Sequence, residues 1–120
     1  MLNDRSREYG KTKVLSLAQL KEGFDNLDYI QTALLFGSRA TDKAHDKSDY
    51  DFALLMIDND KEIWGIESKA WSDLHDVFGL DDCDYDVINL KRTSSAMIES
   101  IKEAYIILKG NTDDISKLLN

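Results

Sequence analysis

The stretch from Tyr50 to Ile57 is apolar on both of its alternating sides, with Tyr50, Phe52, Leu54 and Met56 on one and Ala53, Leu55 and Ile57 on the other. A strand of this kind must lie inside a sheet that is covered on both faces, which commits the chain to helices layered over strands. Two carboxylates open the same strand. Residues two apart point to one side, so Asp49 and Asp51 share a face and Tyr50 points away.

The remaining elements follow from caps and periodicity. Ser16 with Gln19 forms a capping-box pattern, and Leu17, Leu20, Phe24 and Leu27 then mark one side of a helix that ends near Leu27. Ile30 to Phe36 reads as a buried strand bounded by Gly37, and Gly37-Ser38 opens a new helical element. A second capping-box pattern at Asn59 and Glu62 precedes Ile63, Ile66, Ala70, Leu74 and Val77, a helix that Gly79 stops. Tyr85 to Leu90 reads as a third strand, and Thr93 to Ser95 can cap a helix carrying Ile98 and Ile101. Tyr105 to Leu108 fits either an extension of that helix or a short edge strand before Gly110, and one last helical turn is expected after Asn111. The order helix, strand, helix, strand, helix, strand, helix predicts an α/β (α+β) fold, a small mixed β-sheet covered by helices.

With 120 residues, 42% of them apolar, the chain is long enough for one compact domain and too short for two. Residues 1–14 read as a flexible arm with Arg5, Arg7, Lys11 and Lys13, residues 15–109 as the folded domain, and residues 110–120 as a C-terminal tail. No apolar run has membrane-helix length and the first residues are polar and charged, so a cytoplasmic protein with no membrane partner is expected. Cys83 is the only cysteine, which rules out an internal disulfide, and it reads as structural. A net charge of −8 disfavours direct nucleic-acid binding, which relies on clustered lysine and arginine.

Aspartate occurs 17 times and the pattern D-x-D four times, so the pattern alone carries little. Context separates Asp49/Asp51 from the rest, because a strand ending in Gly37-Ser38 lies upstream and a buried strand follows at once. Carboxylates on one face suit Mg2+, which takes oxygen ligands and commonly shares them with substrate phosphates. Asp86, within the third strand, can complete a site for two ions. Gly37 lets backbone approach phosphates closely and Ser38 adds a hydroxyl, while Arg39, Lys43 and Lys47 can supply positive charge. Other conspicuous residues have plain readings: Trp64 and Trp71 as core packing, His45 and His75 as solvated side chains, Asp81, Asp82 and Asp84 as a solvated loop, Lys91 and Arg92 as exposed charges.

The run Gly37-Ser38-Arg39-Ala40, seven residues, then Ser48-Asp49-Tyr50-Asp51-Phe52, resembles the signature G-S-x-A-R-G-x5-S-D-x-D-[LF] of MNT-type minimal nucleotidyltransferases in the polymerase-β-like superfamily. Tyr85 to Leu90 is similar to that family's third-carboxylate strand, and Ile98 to Leu108 to its closing helix and short apolar run. The resemblance implies Asp49, Asp51 and Asp86 as catalytic metal ligands, with Asp86 as ligand or general base. It further implies Gly37 and Ser38 as the triphosphate site, ATP as substrate and Mg2+ as cofactor; with the cations Arg39, Lys43 and Lys47 and with Ser48 these make up the candidate nucleotide-binding residues. By the same kinship the partner is a HEPN-domain ribonuclease toxin, modified by AMP on a tyrosine and so neutralised by its antitoxin. The chain departs from the signature at Thr41 and Asp42, where the family has Arg and Gly. One phosphate contact is thereby lost and a negative charge gained. A second reading therefore stands beside the enzyme: a binding module that neutralises the toxin by masking its active site. A free-standing transferase for a small acceptor is the third.

Overall fold

The computed structural model describes residues 14–41, 49–57, 65–81 and 83–120. Helix α1 (Leu17–Asp25) leads into strand β1 (Ile30–Phe36), and a single 3-10 turn (Gly37–Ala40) follows. Next come β2 (Tyr50–Met56), α2 (Ile66–Phe78), β3 (Tyr85–Asn89), α3 (Ser95–Glu103), β4 (Tyr105–Lys109) and α4 (Thr112–Leu119). The strands lie in the order β3-β2-β1-β4, with β1 antiparallel to both β2 and β4 and β2 parallel to β3. The predicted small mixed sheet is thus the one formed, and Tyr105 to Leu108 falls in an edge strand rather than in the preceding helix.

Helices cover both faces. On one, α1 and α2 bury Leu20, Phe24, Ile66, Ala70, Leu74 and Phe78 against Leu35, Tyr50, Phe52, Leu54, Met56 and Leu108. On the other, α3 and α4 bury Ile101, Ile115 and Leu119 against Leu34, Phe36 and Ala53. The split follows the pleat: Tyr50, Phe52, Leu54 and Met56 all go to the first core and Ala53 to the second. Residues 110–120, read as a tail with one turn, carry an eight-residue helix whose Asn111 side chain accepts from the Asp114 amide. Its apolar positions are four apart, so both reach the sheet.

Other boundaries moved for local reasons. The Ser16/Gln19 capping box is formed as expected, but α1 ends at Asp25, two residues early. There Lys109 Nζ donates to the carbonyls of Phe24 and Leu27, at 3.1 Å each, so a cation from β4 satisfies the helix end and ties the edge strand to it. Leu17 and Val77, expected to face the core, are exposed; Phe78 fills the place next to the sheet instead of Val77. Gly79 stops α2 in the left-handed conformation, as its position predicted. The helix begins later than the second capping-box pair predicts, at Ile66 after Gly65, whose φ of 91° is left-handed and which offers no side-chain cap; Asn59 and Glu62 lie outside the described residues, as do Ile63 and Trp64.

Phe24, Phe52 and Phe78 form a three-ring cluster with centroids 5.3 to 6.1 Å apart, where α1 and α2 meet the middle of the sheet. Gly23 makes room for it, since a Cβ there would collide with the Phe78 ring and lie 2.9 Å from Val77 Cγ1. Helix propensity favours Gly23→Ala by about 1 kcal/mol, whereas overpacking a filled core costs about 1–3 kcal/mol. Because Phe78 is held between two other rings, overpacking wins. We expect Gly23→Ala to lower the stability measured by urea unfolding by about 1 kcal/mol, and a variant as stable as wild type would show that the ring yields freely.

Candidate active site

The entry of β2 is fixed before its carboxylates are placed. The Tyr50 amide donates to the Asp84 carbonyl at 2.9 Å, and Tyr50 and Phe52 then stack, 5.9 Å between centroids, into the first core. With these two rings buried, the pleat sends Asp51 to the opposite face. Strand β3 runs parallel in register, Tyr50 beside Tyr85, Asp51 beside Asp86 and Phe52 beside Val87. Tyr85 and Val87 pack on the first core as well, so Asp86 emerges on the same side as Asp51. Asp49, just ahead of the strand, is exposed.

On its other flank Asp51 faces Phe36, and Phe36 in turn faces Tyr105. One row therefore crosses the whole sheet at this end: Asp86, Asp51, Phe36, Tyr105. Phe36 and Tyr105 belong to the second core, which places the row on the α3/α4 face. The sequence reading missed Tyr105, because a short apolar run without a fixed register gives its side chain no address.

The carboxylates repel one another. Burial, then the charge of Asp86, then that of Asp49 push the Asp51 carboxyl above its ordinary pKa. A divalent cation fits this donor set, because hard oxygen ligands that repel each other are what such an ion neutralises. Among the described residues no three acidic, histidine or cysteine side chains are already gathered as a closed ligand set. Asp86 turns its Oδ1 back to accept from the Val87 amide at 3.0 Å.

The corner after β1 touches the same carboxylate. Gly37 has φ +75°, a left-handed value suited to glycine, and a Cβ there would run into the Asp51 carboxylate. The backbone of Gly37 therefore abuts Asp51 directly. The helix expected from Ser38 is a single 3-10 turn, closed by the Thr41 amide and hydroxyl, which both donate to the Ser38 carbonyl at 3.2 and 3.1 Å. So short a turn offers an anion individual N–H groups rather than a long helix dipole. No described residue hydrogen-bonds the Ser38 hydroxyl. Arg39 takes a different course: its guanidinium carbon sits 4.7 Å from the centroid of Tyr50, and Tyr50 faces the first core, so Arg39 lies across β2 from Asp51. Lys43, Lys47 and Ser48 lie outside the described residues, as do Asp42 and His45.

Around the site, the acidic loop read as solvated is partly structural. Asp84 is 3% exposed, and its Oδ2 accepts from the Asp81 amide at 3.2 Å while its own amide donates to the Asp81 carbonyl at 2.9 Å. A carboxylate satisfied by backbone can be buried, and here it shapes the turn whose carbonyl holds Tyr50. Arg92, exposed as expected, donates to Glu67 at 3.1 Å, and the Asn89 amide donates to the same oxygen at 2.8 Å. Hydrogen bonding from Asn89, the largest influence, holds the Glu67 carboxyl below its ordinary pKa. Trp71 is half-buried and packs on Tyr85, as core packing predicts. His75 Nδ1 lies 2.7 Å from the Leu80 carbonyl.

The strain at Asp51 has a measurable sign. A carboxyl with a raised folded-state pKa binds its proton more tightly when folded, so stability falls as pH rises through that pKa and the penalty persists at neutral pH. Asp51→Asn removes the charge with little change of shape. At pH 7 and without divalent ions, its melting temperature should exceed that of wild type by roughly 3 °C, and the gain should vanish on acidification toward the pKa of a free carboxyl. An unchanged or lower melting temperature would mean that the carboxylates do not repel.

No curated protein shares significant sequence similarity with the chain. Solved structures share its fold. A chain from the crystal structure of a toxin-antitoxin with AMP-PNP is 23% identical, with 88% of this chain and 82% of that one covered at a TM-score of 0.66. A chain from the toxin-antitoxin MntA-HepT is 19% identical, covering 87% and 80% at a TM-score of 0.59. A chain from a tri-AMPylated Shewanella oneidensis HEPN toxin in complex with MNT antitoxin is also 19% identical, covering 87% and 81% at 0.59. The polymerase beta nucleotidyltransferase domain matches residues 18–114, nearly the whole described molecule, and the chain belongs to that family.

Proposed function

We propose that this nucleotidyltransferase moves AMP from Mg-ATP to a hydroxyl of a partner protein, a HEPN-type ribonuclease toxin, and so acts as its antitoxin. The observation that carries the reading is the register that sets Asp51 beside Asp86 with the Gly37 backbone against Asp51. Two features that suit metal-assisted nucleotidyl transfer, a carboxylate pair and a close-approach backbone corner, thereby meet at one end of one sheet. The likeness in fold to a chain from a complex containing a tri-AMPylated HEPN toxin supports AMP as the group and a protein as acceptor.

In this reading Asp49, Asp51 and Asp86 hold Mg2+, two ions being the number three carboxylates and a triphosphate suit. Bound there, Mg2+ supplies charge neutralisation along the phosphates. The chain's own groups do the rest. Gly37 and Ser38 seat the β and γ phosphates with backbone N–H groups and a hydroxyl, and Lys43, Lys47 and Ser48 complete that seat. Arg39, stacked on Tyr50, holds the turn against β2. Asp86, exposed at the edge strand, accepts the proton of the acceptor hydroxyl as its oxygen bonds to the α-phosphorus; the bond from the α-phosphorus to the bridging oxygen breaks and pyrophosphate leaves. Most of the acceleration comes from positioning and electrostatics rather than covalent chemistry.

One observation favours the masking module as a second reading. Thr41, which stands where kin carry an arginine, spends its hydroxyl on the Ser38 carbonyl, so this position supplies no cation to a phosphate. The two readings part in one experiment: co-expression with a candidate HEPN-type toxin, and incubation of the purified pair with labelled ATP and Mg2+. We expect label on the toxin, and a loss of at least about 100-fold with Asp49→Ala or Asp51→Ala. No transfer by wild type would remove the enzyme reading. Full neutralisation by the Asp49→Ala, Asp51→Ala double variant would establish masking.

A further inference from the structure

We infer that Tyr105 is a triphosphate-binding residue whose phenolic hydroxyl donates to the terminal phosphate of the bound nucleotide, an inference that rests on the transferase reading above. Tyr105 is the first residue of β4 and faces Phe36, the residue immediately before Gly37, so β4 begins alongside the turn that seats the phosphates. It shares the α3/α4 face with Asp51 and Asp86, being grouped with Phe36 in the second core. The ring is half-buried, and no described residue hydrogen-bonds its hydroxyl. A tyrosine so placed has an apolar body fixed by packing and a polar tip available to a ligand.

The direction of the reaction decides which part of the nucleotide meets it. In an in-line displacement the leaving pyrophosphate departs opposite the incoming oxygen. With Asp86 on β3 taking the acceptor proton, the acceptor stands at the β3 side of Asp51 and the pyrophosphate extends the other way, over β1 toward β4. Two strand spacings, about 10 Å, separate β2 from β4, and the intervening strand ends in the Gly37-Ser38 corner. The far end of the phosphate chain is then bordered by Tyr105. The need for a donor there is plain, because Thr41, in the position of the family's arginine, is engaged with the Ser38 carbonyl.

Tyr105→Phe deletes only the hydroxyl and leaves the ring to pack, so it isolates the contact. Calorimetric titration of wild type and variant with Mg-ATP, Mg-ADP and AMP reads it out. We expect Mg-ATP to bind the variant about 10-fold more weakly, the scale of one hydrogen bond to a charged group, with Mg-ADP and AMP binding unchanged. In the transfer assay KM for ATP should rise by a similar factor while kcat holds. Equal ATP affinity in the two proteins would overturn the inference, as would an equal loss for all three nucleotides, which would place the hydroxyl at the nucleoside. Failure of wild type to bind any of them would instead overturn the transferase reading on which it rests.

Discussion

The site depends on the burial of Tyr50 and Phe52. These rings enter the aromatic cluster built with Phe24 and Phe78 and thereby fix which side of β2 faces the first core. A slip of one residue would send the carboxylate inward and a ring outward, at the cost of a buried charge as well as lost apolar burial. Asp51 is thus held in an unfavourable place by its neighbours in sequence. Its raised pKa is the residual sign of that constraint, and a bound cation would relieve it.

From that strand the rest of the site follows by pairing. Parallel pairing adds Asp86 on one flank, and antiparallel pairing adds Phe36 and its glycine corner on the other. Each flank is secured by something remote from the chemistry. On the β3 side, the turn at Asp81 to Asp84 holds Tyr50 through the Asp84 carbonyl. On the β4 side, Lys109 fastens the edge strand to the end of α1.

Arg39 illustrates how the fold sets the side of the strand on which a motif residue lies. Adjacent to the glycine-serine corner, it reads as a phosphate contact. Stacked on Tyr50, it lies across the strand from Asp51, whose carboxylate the Gly37 backbone abuts. Thr41 is likewise set by the fold, its hydroxyl donating to the Ser38 carbonyl and closing the turn.

Much of this was legible in the residues because its causes are local. The Ser16 capping box, a glycine stop and two-residue alternation depend on neighbours within a few positions, so α1, β1, β2 and β3 could be read with errors of a residue or two, and α2 at its end, though it begins after Gly65 and not after the expected cap at Asn59. The pair Asp49/Asp51 stood out from the other D-x-D matches for the same reason, through the buried strand it opens. What the sequence left open depends on contacts between distant segments. The choice of strand for Tyr105 to Lys109, the burial of Asp84 and the side taken by Arg39 are decided by packing against residues far along the chain. The meeting of Asp51 with Asp86, 35 positions away, needs a crossover through α2 and a specific parallel register. Local rules name the side chains and their face; only the folded sheet, by aligning strands whose order no short pattern encodes, brings Asp86, Asp51, Phe36 and Tyr105 into a single row.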